Sequence, residues 1–124
     1  MKATVEQWNP YRVSHPRIAD ADDLPEVIRS IVGEKASLTL KQGSWTVMLS
    51  VDGAKWTAAA EGPRDSAYAF RSGDEGTERV SMIIGGQGTD IEQMYVFDRD
   101  VAIELVEEFF RARQVSGSRW EELG

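Results

Sequence analysis

The sequence of 124 residues contains no cysteine and a single histidine, His15. The absence of cysteine excludes disulfides, thiolate metal ligands and a cysteine nucleophile. With one histidine an ordinary zinc site cannot be built, and a serine triad would depend entirely on His15. The nucleophile motifs G-x-S-x-G and S-x-x-K are also absent. We therefore predict that the protein is not an enzyme and that it requires no metal and no cofactor.

Long apolar runs are missing as well. No segment approaches the roughly 20 apolar residues that cross a bilayer, and the residues KATVEQWNP after Met1 lack the apolar centre of a signal peptide. We find no internal repeat, low-complexity tract or linker, and the length suits one ordinary core. The sequence thus predicts a single domain over residues 1–124 that stays in the cytoplasm and does not contact a membrane.

Basic residues are outnumbered, since 14 Lys and Arg against 21 Asp and Glu give a formal net charge of −7. Such a field repels nucleic acid and anionic lipid and attracts basic partners. We therefore expect no direct binding to nucleic acid. The alternative interpretation is that a modest negative charge only keeps a small protein soluble.

Two segments carry apolar residues at helical spacing. Residues 20–32 begin with an Asp-rich stretch and stop at Gly33, which is typical of a helix. Residues 98–113 carry a longer apolar stripe and end on arginines. The stripe consists of Ala102, Leu105, Val106, Phe109 and Phe110.

Elsewhere the apolar residues alternate, which predicts strands. The strand-like segments are residues 2–8, 37–41, 45–51, 55–60, 67–72, 79–85 and 91–97. Asp52-Gly53 lies between two of them and is a strong hairpin signal. We predict an α+β fold with a mainly antiparallel meander sheet and two amphipathic helices packed on one face.

The stretch GGQGTDIEQM, residues 85–94, raises the question of a phosphate-binding loop. Such a loop presents backbone N–H groups at the start of a helix and usually has a lysine after its last glycine. Here Gly88 is followed by Thr89, Asp90 and Glu92, and both flanks have the pattern of strands. We interpret the glycines as a hairpin loop that uses positive φ.

The densest acidic cluster outside the helix starts lies in RSGDEGTER, at Asp74, Glu75 and Glu78. Its loop context exposes the side chains, which suits a solvated hairpin tip better than a catalytic pair. The spacing does not match a calcium loop. An anionic binding surface is the more specific alternative.

The four tryptophans divide between core and periphery. Trp45 and Trp56 lie in strand patterns and are predicted core residues, and Trp8 is predicted to be half-buried. Trp120 lies in the C-terminal tail, where we expect the side chain to dock because the tail folds back.

The order of these elements is similar to that of a known family. The segment AYAFRSGDEGTERVSMIIGGQGTDIEQMYVFDRDVAIELVEEFF, followed by GSRWEEL, resembles the first family of immunity proteins of bacterial polymorphic toxin systems. The matching elements are Ser-Gly-Asp at 72–74, a glycine hairpin at 85–88, an amphipathic helix at 99–113 and a Trp-acid pair at 120–121. The likeness covers residues 20–123 and is strongest from residue 67 onward.

The resemblance implies a bacterial cytoplasmic protein, encoded beside a toxin, that binds the toxin and blocks its active site. The toxin is often a nucleic-acid deaminase. A toxin that acts on nucleic acid is expected to have a basic channel, which an anionic protein can occupy. The two hairpin tips, RSGDEGTE and GGQGTDIE, are the candidate toxin-binding sites, and since in a meander they lie at opposite ends of a shared strand, we expect one tip to be inert and the 73–78 tip to bind. The candidate residues are Asp74, Glu75, Glu78, Asp90 and Glu92.

Two other functions and the oligomeric state remain open. A small-molecule or peptide-binding accessory domain would use an open sheet face near Trp8, Trp56 and Tyr68. An enzyme would have to rely on carboxylates and His15. A toxin gene beside this gene would favour the immunity function, whereas a metabolic operon would favour the others.

Overall fold

A computed structural model of the chain describes residues 1–73 and 75–123, so the candidate residue Asp74 lies outside the described residues. The described part contains nine strands and two α-helices in an α+β arrangement. The strands are β1 (Lys2–Gln7), β2 (Arg12–Ser14), β3 (Lys35–Gln42), β4 (Trp45–Asp52), β5 (Lys55–Glu61), β6 (Ala67–Phe70), β7 (Arg79–Ile84), β8 (Gln87–Glu92) and β9 (Trp120–Leu123). The helices are α1 (Asp23–Ile31) and α2 (Arg99–Ala112).

Seven of the described strands form one antiparallel sheet in the order β2-β1-β3-β4-β5-β6-β9. Strands β3 to β6 are neighbours in sequence and in space, which confirms the predicted meander for this part of the chain. The predicted hairpin between β4 and β5 is also present. Its Gly53 has φ of +63°, a conformation that glycine adopts without steric cost.

Both helices bury one apolar side and contact each other. The buried helix residues are Leu24, Ile28, Ile31, Ala102, Leu105, Val106 and Phe109. Asp98 caps α2, because its carboxylate accepts a hydrogen bond of 3.1 Å from the N–H of Val101. In the described part of the chain, neither helix has both the length and the apolar character needed to cross a membrane.

The core joins these helix residues to one side of the large sheet, which we call the helix face. Leu38, Leu49 and Ala58 are paired across β3, β4 and β5 and belong to the same apolar cluster as the helices. Trp56 is 0% exposed, as predicted for a core residue. Trp45 was also predicted to be core but is only half-buried and packs at the margin of the cluster.

The other side of the sheet, which we call the hairpin face, carries the residues that alternate with this core. Ser37 and Ser50 are paired there across β3 and β4, and each is only 4% exposed. Two polar side chains in the middle of a sheet are buried only if another element covers them. The covering element is β7, which packs on β3 and β4.

Phe70 at the end of β6 is the centre of an aromatic cluster. Its ring has edge contacts with Phe97 at 5.3 Å and with Trp120 at 5.1 Å between ring centroids. The guanidinium of Arg119 lies 4.7 Å from the centre of the same ring, which is within cation–π range. The predicted docking of Trp120 is therefore confirmed, and it places β9 along the outer edge of β6.

Strands β7 and β8 form a separate two-stranded sheet, so the predicted meander does not continue beyond β6. The two edges of β6 are already paired with β5 and β9, which leaves no edge for β7. The predicted strand over residues 91–97 is also wrong. Strand β8 ends at Glu92, a 3-10 turn follows over Gln93–Tyr95, and Phe97 then bridges to Trp56 in the large sheet.

The β7–β8 hairpin runs across the strands of the hairpin face. The ammonium of Lys55 on β5 donates a hydrogen bond of 2.6 Å to the carbonyl oxygen of Ser81, and the N–H of Ile83 donates one of 2.8 Å to Asp52 on β4. Between these anchors, Met82 is only 1% exposed. Two polar anchors and one buried methionine therefore fix the hairpin to the sheet.

Phe109→Ala is expected to lower the free energy of unfolding by about 3 to 5 kcal/mol, because the ring is only 3% exposed and its loss leaves a cavity under α2. The measurement is chemical denaturation. Glu108→Ala, at the neighbouring exposed position, is the control and should change stability by less than about 0.5 kcal/mol. Equal stability of the two variants would mean that α2 packs through another face.

Ending the chain after Gly117 is expected to lower the melting temperature, because it removes β9, exposes the edge of β6 and leaves Phe70 without the Trp120 ring. Thermal unfolding followed by circular dichroism is the measurement. Full-length Leu123→Ala is the control, since Leu123 is 49% exposed, and should melt like the wild type. An unchanged melting temperature of the truncated chain would show that the tail does not support the fold.

Candidate functional site

The outer side of the β7–β8 hairpin carries two of the candidate carboxylates, Asp90 and Glu92. Met82 on β7 is buried against the sheet, and side chains alternate between the two sides of a strand. The register places Asp90 opposite Ser81 and Glu92 opposite Arg79, at positions that alternate with Met82. Both carboxylates therefore point away from the large sheet.

A third candidate, Glu78, lies beside them at one end of the hairpin. It directly precedes β7, and its carbonyl oxygen accepts a hydrogen bond of 2.8 Å from the N–H of Gln93. Glu75 lies three residues earlier and is exposed. We call Glu75, Glu78, Asp90 and Glu92 the acidic hairpin surface.

The expected separation of the candidates into two loop tips is wrong for Asp90 and Glu92. The tight turn uses only Gly85 and Gly86, with φ of +60° and +81°, so the residues that follow already belong to β8. Strand β8 returns the chain to the end where β7 began, which brings Glu92 next to Glu78. One end of the hairpin thus carries Glu78 and Glu92, with Arg79 opposite Glu92, and the other end carries glycines.

The glycine end of the hairpin packs against Trp8. A Cβ atom on Gly86 would lie 3.1 Å from the indole ring of Trp8, which is closer than an ordinary contact. Trp8 is half-buried, as predicted, and its ring centroid lies 6.1 Å from that of Tyr11. This end of the hairpin therefore contacts the domain itself and presents no charged side chain to a partner.

The acidic hairpin surface has the chemistry of charge recognition. Asp90 accepts a hydrogen bond of 3.0 Å from the Ser81 hydroxyl, and the side chain of Asp90 remains exposed. Among the described residues, no group of three or more His, Asp or Glu side chains is placed to hold a metal ion. His15 lies beside β1, with its Nδ1 atom 3.3 Å from the Thr4 hydroxyl.

Three groups outside the hairpin have a shifted pKa with a local cause. The Tyr11 hydroxyl donates a hydrogen bond of 2.8 Å to Glu6, which raises the pKa of Tyr11. The N–H groups of Asp20 and Ala19 donate hydrogen bonds of 3.1 and 2.7 Å to Asp23 at the start of α1, and they lower the pKa of its carboxyl. The Tyr95 hydroxyl donates a hydrogen bond of 3.1 Å to Glu121, which raises the pKa of Tyr95. Each bond joins a loop to a neighbouring element, which is a structural role.

The open sheet face expected near Trp8, Trp56 and Tyr68 is not formed. Trp56 is fully buried on the helix face, and Trp8 packs against the hairpin. Tyr68 instead contacts Trp45, with 5.6 Å between ring centroids, in the wall of a cavity of about 630 Å³ at the opposite end of the sheet. Gly62 permits this packing, because a Cβ atom there would overlap the Trp45 ring.

The uncovered part of the hairpin face was not predicted from the sequence. Strand β7 covers Ser37 and Ser50, but Met48, the next residue on the same side of β4, is 44% exposed. Nothing in the segment WTVMLSV distinguishes this methionine from the outward residue of any half-buried strand. Met48 is exposed because β7 does not extend over it, and the position of β7 on the sheet depends on tertiary packing.

Comparison with models of known protein families and with curated proteins finds no match to this chain. The similarity to immunity proteins therefore depends on the order of motifs in the sequence. The structure adds the placement of those motifs. It brings Glu78 and Glu92, from two different motifs, to neighbouring positions at the open end of the β7–β8 hairpin, whereas Glu75 lines a cavity with Arg71 and Arg119.

Asp23→Asn is expected to lower the melting temperature at neutral pH, because the ionised carboxylate accepts two backbone hydrogen bonds. The pKa of Asp23 in the folded protein is below its ordinary value of 3.8. Its contribution is therefore complete above that value and is lost as the pH falls through the folded-state pKa.

Thermal unfolding between pH 7 and about pH 2 tests this expectation, with Asp22→Asn as the matched control. The Asp23 variant should lose less stability on acidification below about pH 4 than the wild type. If the melting temperatures of the wild type and of Asp23→Asn fall by the same amount as the pH is lowered, the assigned role of Asp23 is wrong.

Proposed function

We propose that the protein is an immunity protein that binds a cognate secreted bacterial toxin, of the nucleic-acid deaminase type, and blocks its active site. The observation that carries the proposal is the acidic hairpin surface, where Asp90 and Glu92 lie on the outer side of one anchored hairpin and Glu78 lies beside Glu92 although it is separated from it in sequence. The order of motifs that resembles the immunity family supports the same function.

Charge is the first physical step of the proposed interaction. A toxin that acts on nucleic acid needs cationic side chains along its substrate channel. Asp90 and Glu92 lie on the same side of β8, where alternate residues are about 6.8 Å apart. A line of carboxylates in this arrangement competes with the phosphates of the substrate for the same cations.

Rigidity is the second step. The anchors at Asp52 and Lys55, together with buried Met82, hold the hairpin on the sheet before any partner arrives. A partner that binds a preformed surface does not lose free energy by ordering it. The hairpin is therefore suited to a tight protein complex rather than to a transient charge contact.

Exchange of Glu78 and Glu92 for lysine is expected to slow association with the toxin domain encoded by the neighbouring gene by about tenfold or more at low salt. The difference should shrink as salt rises, because salt screens exposed charges. Stability should change little, since neither side chain is part of the core. Biolayer interferometry and survival of cells that express the toxin are the measurements.

The matched control carries lysine at Glu26 and Glu108, two exposed positions on α1 and α2, the helices that pack on the other side of the sheet. It has the same net charge as the hairpin variant and should retain binding and protection. Normal association of the hairpin variant, together with loss in the control, would move the interface to the helices. If no toxin domain is encoded nearby, or if the wild type does not bind it, the proposed function is wrong.

A further inference from the structure

Three cations lie side by side at one corner of this acidic protein. Lys2 on β1 is directly paired with Lys41 on β3, and Lys2 also bridges to Arg17 on its other side. All three side chains are exposed. We call Lys2, Arg17 and Lys41 the basic corner.

The basic corner lies on the hairpin face. Lys2 and Lys41 alternate with Ala3 and Leu40, which are buried in the core on the helix face. Side chains alternate along a strand, so the two lysines point to the other side of the sheet. That is the side on which the hairpin lies, so the acidic hairpin surface and the basic corner share one side of the molecule.

The arrangement is unfavourable for the isolated protein. Like charges directly opposite each other on neighbouring strands destabilise a sheet. Within the described residues, none of the three cations forms an ion pair within 4.0 Å, because the ion pairs there involve Arg71, Arg99 and Arg119. Arg17 already acts on the Asp23 carboxylate and helps to lower the pKa of Asp23, whereas the exposed Lys2–Lys41 pair is the complement of an acidic segment on another molecule.

A strip of uncovered sheet extends from the basic corner toward β5. The register leads from Lys41 to Thr46 and then to the exposed carboxylate of Glu61. Met48 and Ala59 are paired one step closer to the hairpin, and both are exposed. We call Thr46, Met48, Ala59 and Glu61 the open strip, in which the apolar pair Met48 and Ala59 lies beside a row that has opposite charges at its ends, Lys41 and Glu61.

We infer that the open strip and the basic corner form a second contact for the same toxin, which docks there through a segment with carboxylates at one end and apolar side chains in the middle. The inference rests on the proposed function. The toxin then contacts the acidic hairpin surface with its basic channel and the basic corner with an acidic patch. A toxin docked the other way round would place its acidic patch on the acidic hairpin surface and its basic channel on the basic corner, where like charges repel. The two contacts together therefore fix the orientation of the toxin.

A membrane or a nucleic acid is a poorer partner for this surface. Either would present negative charge along the whole strip and would meet Glu61 and the acidic hairpin surface as well as the basic corner. A protein segment can change the sign of its charge within a few residues, as the strip requires.

In the test, Lys2 and Lys41 are exchanged for glutamate, and binding of this variant to the toxin domain encoded by the neighbouring gene is measured by biolayer interferometry. We expect about a tenfold or larger rise in Kd, while the free variant melts near the wild-type temperature, because one pair of like charges replaces another at the same exposed, paired positions. The matched control exchanges Arg29 and Arg111, exposed residues of the two helices, and should bind like the wild type.

A second variant, Met48→Asp, examines the apolar centre without changing the corner. It should accelerate dissociation about tenfold or more and leave the melting temperature near that of the wild type, since Met48 is 44% exposed. If the hairpin variant loses binding but the corner variant and Met48→Asp retain it, this inference is wrong and the proposed function stands.

If the wild type does not bind the toxin domain, the proposed function is wrong. A probe peptide then tests whether the basic corner is a docking site for carboxylates. The probe is a synthetic peptide of alternating Glu and Leu, and a Lys and Leu peptide is its counterpart. Chemical-shift changes at Lys2, Arg17 and Lys41 with the Glu peptide, abolished in the corner variant, would support a docking site for carboxylates. Changes with neither peptide, or stronger changes with a short DNA duplex, would overturn it.

Discussion

The packing of Phe70 against Phe97 and Trp120 determines where most of the second half of the chain can lie. Because Trp120 brings β9 to the outer edge of β6, the segment after Phe70 cannot continue the meander and leaves the sheet. It crosses to the other side, forms the β7–β8 hairpin over Ser37 and Ser50, and returns to the core at Phe97. Because of this aromatic cluster, the helices cover one face of the large sheet and the hairpin covers part of the other.

Because the two faces are covered by different elements, charge is distributed unevenly over the surface, and the net charge alone does not show this. A formal charge of −7 suggests a uniformly acidic surface, yet the hairpin face combines a line of carboxylates, an uncovered apolar strip and three adjacent cations. In protein interfaces, an apolar centre supplies most of the binding energy and the surrounding charges select the partner and its orientation. The hairpin face has both components, and the two charged parts are held by different sheets, the acidic one by the β7–β8 hairpin and the basic one by β1 and β3 of the large sheet.

Local sequence predicted the elements that depend on local chemistry. The spacing of apolar residues predicted α2 and the β3 to β6 meander, and the Asp-Gly pair predicted the turn at Asp52-Gly53, because each of these depends on residues that are close in sequence. The separate β7–β8 sheet could not be predicted, since a strand pattern does not specify which edge it pairs with. The acidic candidates were recognised as charges in the sequence, but their placement at one end of the hairpin follows from the length of the Gly85-Gly86 turn. The basic corner had no sequence signal, because its three residues come from three separate segments.

The pairing of β9 with β6 also has a consequence during synthesis of the chain. Trp120 follows Phe70 by 50 residues, so at ribosomal rates of about 5 to 20 residues per second the edge of β6 stays unpaired for roughly 3 to 10 s. During this interval the nascent chain presents an aromatic strand edge, the kind of surface that chaperones bind and that joins one unfinished chain to another. Pairing of β9 is therefore the step that completes the large sheet, however early the β3 to β6 meander has formed.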